Sequence, residues 1–149
     1  MASGREHDIE QINSLIEVTL DSAKGYMDAA DEAKNSRFAS VFRQRGVQRH
    51  DMVQRLQARV KSLGGNAEEN GTTVAAAGRW FALLKQKMSG SDESIIAGVE
   101  AGEDNVKKAY QRVITDGELS DPVRTAIESE FAQIMADQRD MAEALNHPV

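Results

Sequence analysis

The chain has 149 residues, 40% hydrophobic and 28% charged, with a formal net charge of −6. That length suits one domain, expected over 1–149, and that balance suits a packed core rather than a disordered chain. Cysteine is absent, which excludes disulfides, thiolate catalysis and cysteine-ligated metals. The acidity argues against nucleic acid, whose affinity rests on neutralising phosphates. No stretch approaches the roughly 18 apolar residues of a membrane span. Residues 1–10 lack the apolar core of a secretory signal, so the expected location is the cytoplasm.

The first helix is predicted over about 8–33. Ile9, Ile12, Ile16, Thr19, Ala23, Tyr26, Ala30 and Ala33 recur at spacings of three and four, the signature of a bundle seam. Asn35-Ser36 interrupts it, and Ser36 is the expected cap of a second helix over about 37–63. That helix carries Phe38, Phe42, Met52, Leu56, Val60 and Leu63, and Gly64-Gly65 supplies its stop. So short a link makes the two an antiparallel hairpin. A polar segment leads into a shorter helix over about 72–88, ended by Ser89-Gly90-Ser91-Asp92, which also caps the next. A helix over about 93–115 turns Ile96, Val99, Val106, Tyr110 and Val113 inward and stops at Asp116-Gly117. Asp121-Pro122, a cap followed by proline in the first turn, opens a helix over about 122–145 through Ile127, Phe131, Ile134, Met141 and Leu145. Two antiparallel pairs joined by one long crossover describe an all-α, ferritin-like four-helix bundle with an extra helix in the crossover.

Several seam positions are polar. Thr19 and Tyr26 lie on the first helix, Arg45 and Arg49 on the second, Glu103 and Tyr110 on the third bundle helix and Gln138 on the fourth. A charge buried alone costs several kcal/mol, so these residues should pair. The expectation is a central polar layer in which Arg49 and Glu103 form an ion pair, completed by Gln138 or a tyrosine hydroxyl. The competing reading shifts the phase by one residue, turning Gly46 and Gly102 inward and the charges to the rim.

Di-iron and di-manganese bundles need a Glu from each of two helices and Glu-x-x-His from the other two. No Glu-x-x-His occurs, and two of the three histidines, His7 and His147, are near the termini. No catalytic residue and no cofactor is therefore assigned. If iron or manganese bound, the candidates would be Glu17, Glu100, Glu103 and Glu130, although Glu100 and Glu103 also fit an ordinary solvated Glu-x-x-Glu face. The methionines read as core filler rather than ligands. Trp80, with Leu83, is either broad packing of the crossover helix or part of a homo-oligomeric, by preference dimeric, contact. The basic run of Arg43, Arg45, Arg49, Arg55 and Arg59 is read as a solvated face, with binding of an acidic protein partner as the alternative.

Ile12-Asn13-Ser14-Leu15-Ile16-Glu17 followed by Asp21 and Gly25-Tyr26, the Leu63-Gly64-Gly65 stop, Trp80, and Gly102-Glu103-Asp104 with Ala109-Tyr110 together resemble a bacterial ferritin-like family of unknown function. The resemblance spans about 9–145. It implies a ferritin-like bundle without assigned activity, associated with stress or envelope accessory roles. Where such relatives carry His-Asp in the last helix, this chain has Gln138-Arg139-Asp140, and the resemblance supplies no catalytic residue. The leading expectation is a non-enzymatic or metal-degenerate bundle with a structural, stress-related or interaction role. The rival is a divergent di-metal oxidase or ferroxidase.

Overall fold

The computed structural model describes residues 2–70 and 91–146. Within them there are four helices and no strand: α1 (Ala2–Glu32), α2 (Ser36–Ser62), α3 (Asp92–Ile114) and α4 (Asp121–Asn146). The helix predicted over 72–88, with Trp80 and Leu83, lies outside the described residues. No described helix is long and apolar enough to cross a membrane.

Local chemistry sets the helix ends. Asn35, not Ser36, caps α2: its side-chain oxygen accepts the N–H groups of Arg37 and Phe38, an arrangement that contributes about 1 kcal/mol. At the other end Gly64 adopts φ +82°. The Gly64 N–H then reaches the Lys61 carbonyl and the Gly65 N–H reaches that of Val60, each at 3.0 Å, the paired bonds of a Schellman stop. Ser91 caps α3 by accepting the Ser94 N–H. The Ser120 carbonyl accepts the Arg124 N–H, so α4 is entered one residue before the predicted Asp121 cap. The first helix starts at Ala2, ahead of the predicted 8. Asp8 has the residue type of a cap but serves another helix: its carboxylate accepts the Ser120 N–H at 3.0 Å, beside the start of α4.

The contacts fix direction as well as neighbours. Asp92 accepts the N–H groups of Lys34 and Asn35 at 2.8 and 2.9 Å, which seats the start of α3 against the α1–α2 turn. At the opposite end His7 meets Asp116 at 2.5 Å. Consequently α3 runs antiparallel to α1 and parallel to α2. The end of α2 and the start of α3 lie at opposite ends of the bundle, about 40 Å apart for a helix of this length. Helix α1 packs on α2 and α3, and α4 packs on α3 and α2, leaving α2 and α3 across a diagonal. After α2 the chain turns back over the first hairpin: Asn13 donates to the Asn66 carbonyl and accepts the Glu68 N–H, while Gln57 donates to the Glu68 carbonyl.

The interior is a single cluster including Ile12, Ile16, Phe42, Val60, Val106, Ile127 and Ile134. Each such side chain contributes about 1.5–3 kcal/mol on burial. The buried stripe is wider than one seam: Gly46 and Gly102 face inward together with Arg45, Arg49 and Glu103. The glycines of the competing phase do face inward, but the charges that it put at the rim are buried beside them.

Candidate functional site: the polar centre of the bundle

Arg49 on α2 and Glu103 on α3 meet across the diagonal. Nη1 lies 2.6 Å from Oε1 and Nη2 2.7 Å from Oε2, a bidentate fork of the strongest class. Their exposures are 0% and 1%, so the pair sits on the bundle axis. Arg49 Nη1 also reaches Ser22 Oγ at 3.3 Å, and the guanidinium stands 5.4 Å from the centre of the Tyr26 ring. Tyr26 in turn packs against Phe42, ring centres 6.4 Å apart. Burial on its own would favour the neutral arginine. That is the largest single effect, but the charge and hydrogen bonds of Glu103, joined by Tyr26 and Tyr110, together outweigh it and hold Arg49 above the ordinary arginine range.

A second layer lies on the same face of α2. Tyr110 and Thr19 share a hydrogen bond of 2.7 Å. Thr19 gives its hydroxyl proton to the Leu15 carbonyl at 2.6 Å, so the single Tyr110 proton is shared between the Thr19 oxygen and the Met52 sulfur, 3.4 Å away. Burial pushes the Tyr110 hydroxyl well above the usual tyrosine range. Tyr26 is raised as well, by burial first and then by the charge of Glu103. Both rings stay protonated at neutral pH and offer no tyrosinate to a metal.

Arg45 finds a partner the sequence reading did not assign. Asp137 on α4 approaches Arg45 Nη1 at 3.2 Å, and its backbone carbonyl accepts from Nη2 at 3.0 Å. Gln48 also accepts from Arg45, and Gln133 donates to Asp137 at 2.8 Å. Arg45 and Asp137 are 7% and 6% exposed. Gln138, the residue predicted to complete the layer, is only half-buried. A carboxylate was nonetheless required, because two inward arginines faced a single inward glutamate. Next to this pair, α2 and α4 leave a groove of about 390 Å³, crossed by the Arg55–Glu130 ion pair at 2.8 Å.

The four carboxylates offered as metal ligands do not converge. Glu103 is engaged by Arg49 and Glu130 by Arg55, while Glu100 is exposed. Glu17 lies near Glu68 and Asp21, and its partial burial followed by those charges raises its carboxyl pKa. The basic stripe is equally depleted: Arg45 and Arg49 are interior, Arg55 is paired, and Arg43 lies 3.6 Å from Asp31.

One cluster has no local sequence signature, because its members are far apart along the chain. His7, Asp116 and Glu118 bring potential ligand atoms within 4.8 Å of one another at the end of the bundle. His7 is raised above 6.5, chiefly by its hydrogen bond to Asp116. Asp116 is lowered below 3.8, first by the Glu118 backbone N–H and then by His7. The stabilisation from His7 is complete below about pH 6.5 and fades as pH rises through the higher folded value. That from Asp116 is complete above about pH 3.8 and fades as pH falls through the lower folded value. His7→Gln is therefore expected to lower the melting temperature at mildly acidic pH and to leave it nearly unchanged near pH 9, as thermal scans across pH would show.

A family model described as a domain of unknown function (DUF2383) matches residues 7–116, well over half of the chain. The chain belongs to that family. The DUF2383 match takes in both members of the Arg49–Glu103 pair and the His7–Asp116 contact, and ends before α4 with Asp137. Searches among curated proteins and solved structures return no match.

Proposed function

We propose that this DUF2383 chain is a ferritin-like bundle whose axis is closed by an internal ion pair, and that it serves as a structural or interaction protein rather than as a redox enzyme. Support for the ferritin-like assignment comes from connectivity: two antiparallel hairpins, with α2 and α3 parallel across the diagonal and a long connection between them.

The single observation carrying the functional reading is the Arg49–Glu103 fork on the axis. Di-metal bundles gather carboxylates and histidines from all four helices at that place. The donor set here does not fit such a centre. Of the four candidate carboxylates only Glu103 reaches the axis, and it already neutralises a guanidinium that stays protonated at any physiological pH. No Glu-x-x-His pair, the arrangement that caps a metal in such centres, occurs in the sequence. An incoming dication would have to separate the pair and lie beside a buried positive charge, which costs several kcal/mol.

Dioxygen uptake with ferrous iron tests this reading. Uptake in the presence of the protein is expected to match that of protein-free buffer. Acceleration that saturates with iron would instead support the divergent oxidase.

A further inference from the structure

The end of the bundle opposite the α1–α2 turn gathers three metal-ligating side chains from separate parts of the chain. His7 comes from the second turn of α1, and Asp116 and Glu118 from the link between α3 and α4. One ligand atom of each lies within 4.8 Å of the other two. The imidazole distinguishes the cluster from a patch of surface acids. One nitrogen and two carboxylate donors around a single point suit zinc, whereas calcium and magnesium take larger, all-oxygen sets.

The donors are also aimed. The Glu118 N–H holds Asp116 Oδ1 at 2.9 Å, which leaves Oδ2 facing His7 Nε2 at 2.5 Å. The link itself is fixed by groups that are not ligands. Arg124 donates to the Ile114 and Asp116 carbonyls at 3.0 and 2.5 Å, and Asp8 accepts the Ser120 N–H. The field at His7 is negative, with Glu10 acting alongside Asp116 and Glu118. The Arg124 guanidinium is answered by the Asp121 carboxylate at 2.9 Å. His7 and Asp116 are half-buried, so an ion can enter from solvent.

We propose that His7 Nε2, one oxygen of Asp116 and one of Glu118 bind a single zinc ion that ties the start of α1 to the α3–α4 link. Zinc bonds of about 2.0–2.2 Å set tetrahedral ligand atoms roughly 3.3 Å apart. His7 and Asp116 therefore part by less than about 1 Å from their present contact. The ion replaces the proton between them, and that proton passes to solvent. Three protein ligands leave the fourth position to water. The site lies at the end of the bundle and not on its axis. Manganese and ferrous iron stand at the weak end of the affinity order, so desalting removes them from three ligands.

Calorimetric titration of the untagged protein with zinc chloride at neutral pH tests the site, with magnesium chloride as control. The expected result is saturation at a single ion per chain and no response to magnesium. Amide shifts of the ¹⁵N-labelled protein should be confined to the start of α1 and the α3–α4 link. Glu118 is exposed and holds Asp116 through its backbone N–H, so Glu118→Gln spares the fold. His7→Gln and Glu118→Gln are each expected to weaken binding by about 10-fold or more, because changing even a group that only supports a ligand costs about 10–100-fold. His50→Gln, at an exposed histidine of α2, is expected to leave binding unchanged. Zinc should also raise the Tm of the original chain and not that of His7→Gln. No saturable binding, unaltered affinity in His7→Gln or Glu118→Gln, loss of binding in His50→Gln, or an equal response to magnesium would each overturn the assignment.

Discussion

Replacing Arg49 by methionine is expected to lower the stability of the protein by about 3–5 kcal/mol, because Glu103 is left charged and unpaired on the bundle axis. Glu103→Leu should cost about as much, since it strands the guanidinium. The double variant Arg49→Met/Glu103→Leu behaves differently. With both charges gone, the site becomes apolar among Tyr26, Phe42 and Val106, and stability should return to within about 1 kcal/mol of the original or exceed it. Urea unfolding of the four proteins gives the coupling directly. Single losses of this size would lower the melting temperature by roughly 6–20 °C. Additive effects in the double variant would mean that the two side chains do not act as a pair.

Asp137→Ala is the second large effect, at about 3 kcal/mol. It removes the carboxylate from buried Arg45 and leaves that cation with Gln48 and a backbone carbonyl. The neighbouring Gln138→Ala should cost less than about 1 kcal/mol, because Gln138 is half-buried and carries no charge. Chemical denaturation of the two variants compares adjacent positions on one helix. Equal losses would place the fourth-helix contribution at Gln138 after all and contradict the Arg45–Asp137 pair.

The contrast between Asp137 and Gln138 shows what the sequence could and could not convey. Ile134, Met141 and Leu145 define an inward face, and position 137 and position 138 both fall within it at helical spacing. Periodicity alone does not choose between them. Charge balance does: Arg45 and Arg49 both turn inward, and Glu103 can answer only one. The Schellman stop at Gly64-Gly65 was legible because every group in it lies within a few residues. The start of α1 was not, since Asp8 looks like a cap and is instead used by Ser120, 112 positions away. His7 gives no local signal for the same reason: its partner Asp116 is 109 positions distant. Local capping and hydrophobic spacing are written along the chain, whereas long-range polar partners appear only once the helices are side by side.

That distinction bears on function. A missing Glu-x-x-His motif removes one local signature of a metal centre, but it says nothing of what occupies the axis in its place. The geometry supplies the occupant, a guanidinium locked to Glu103. Protonated Tyr26 and Tyr110, together with the Thr19 and Ser22 hydroxyls, line the same interior, so the polar groups of the core serve one another.

Metal content after anaerobic loading with ferrous iron or manganese, followed by desalting, tests the central claim most directly. The account predicts well under one ion per chain, with the Arg49–Glu103 pair undisturbed. About two tightly held ions per chain, the stoichiometry of the carboxylate bundles, would contradict it and return Glu103 to a metal centre.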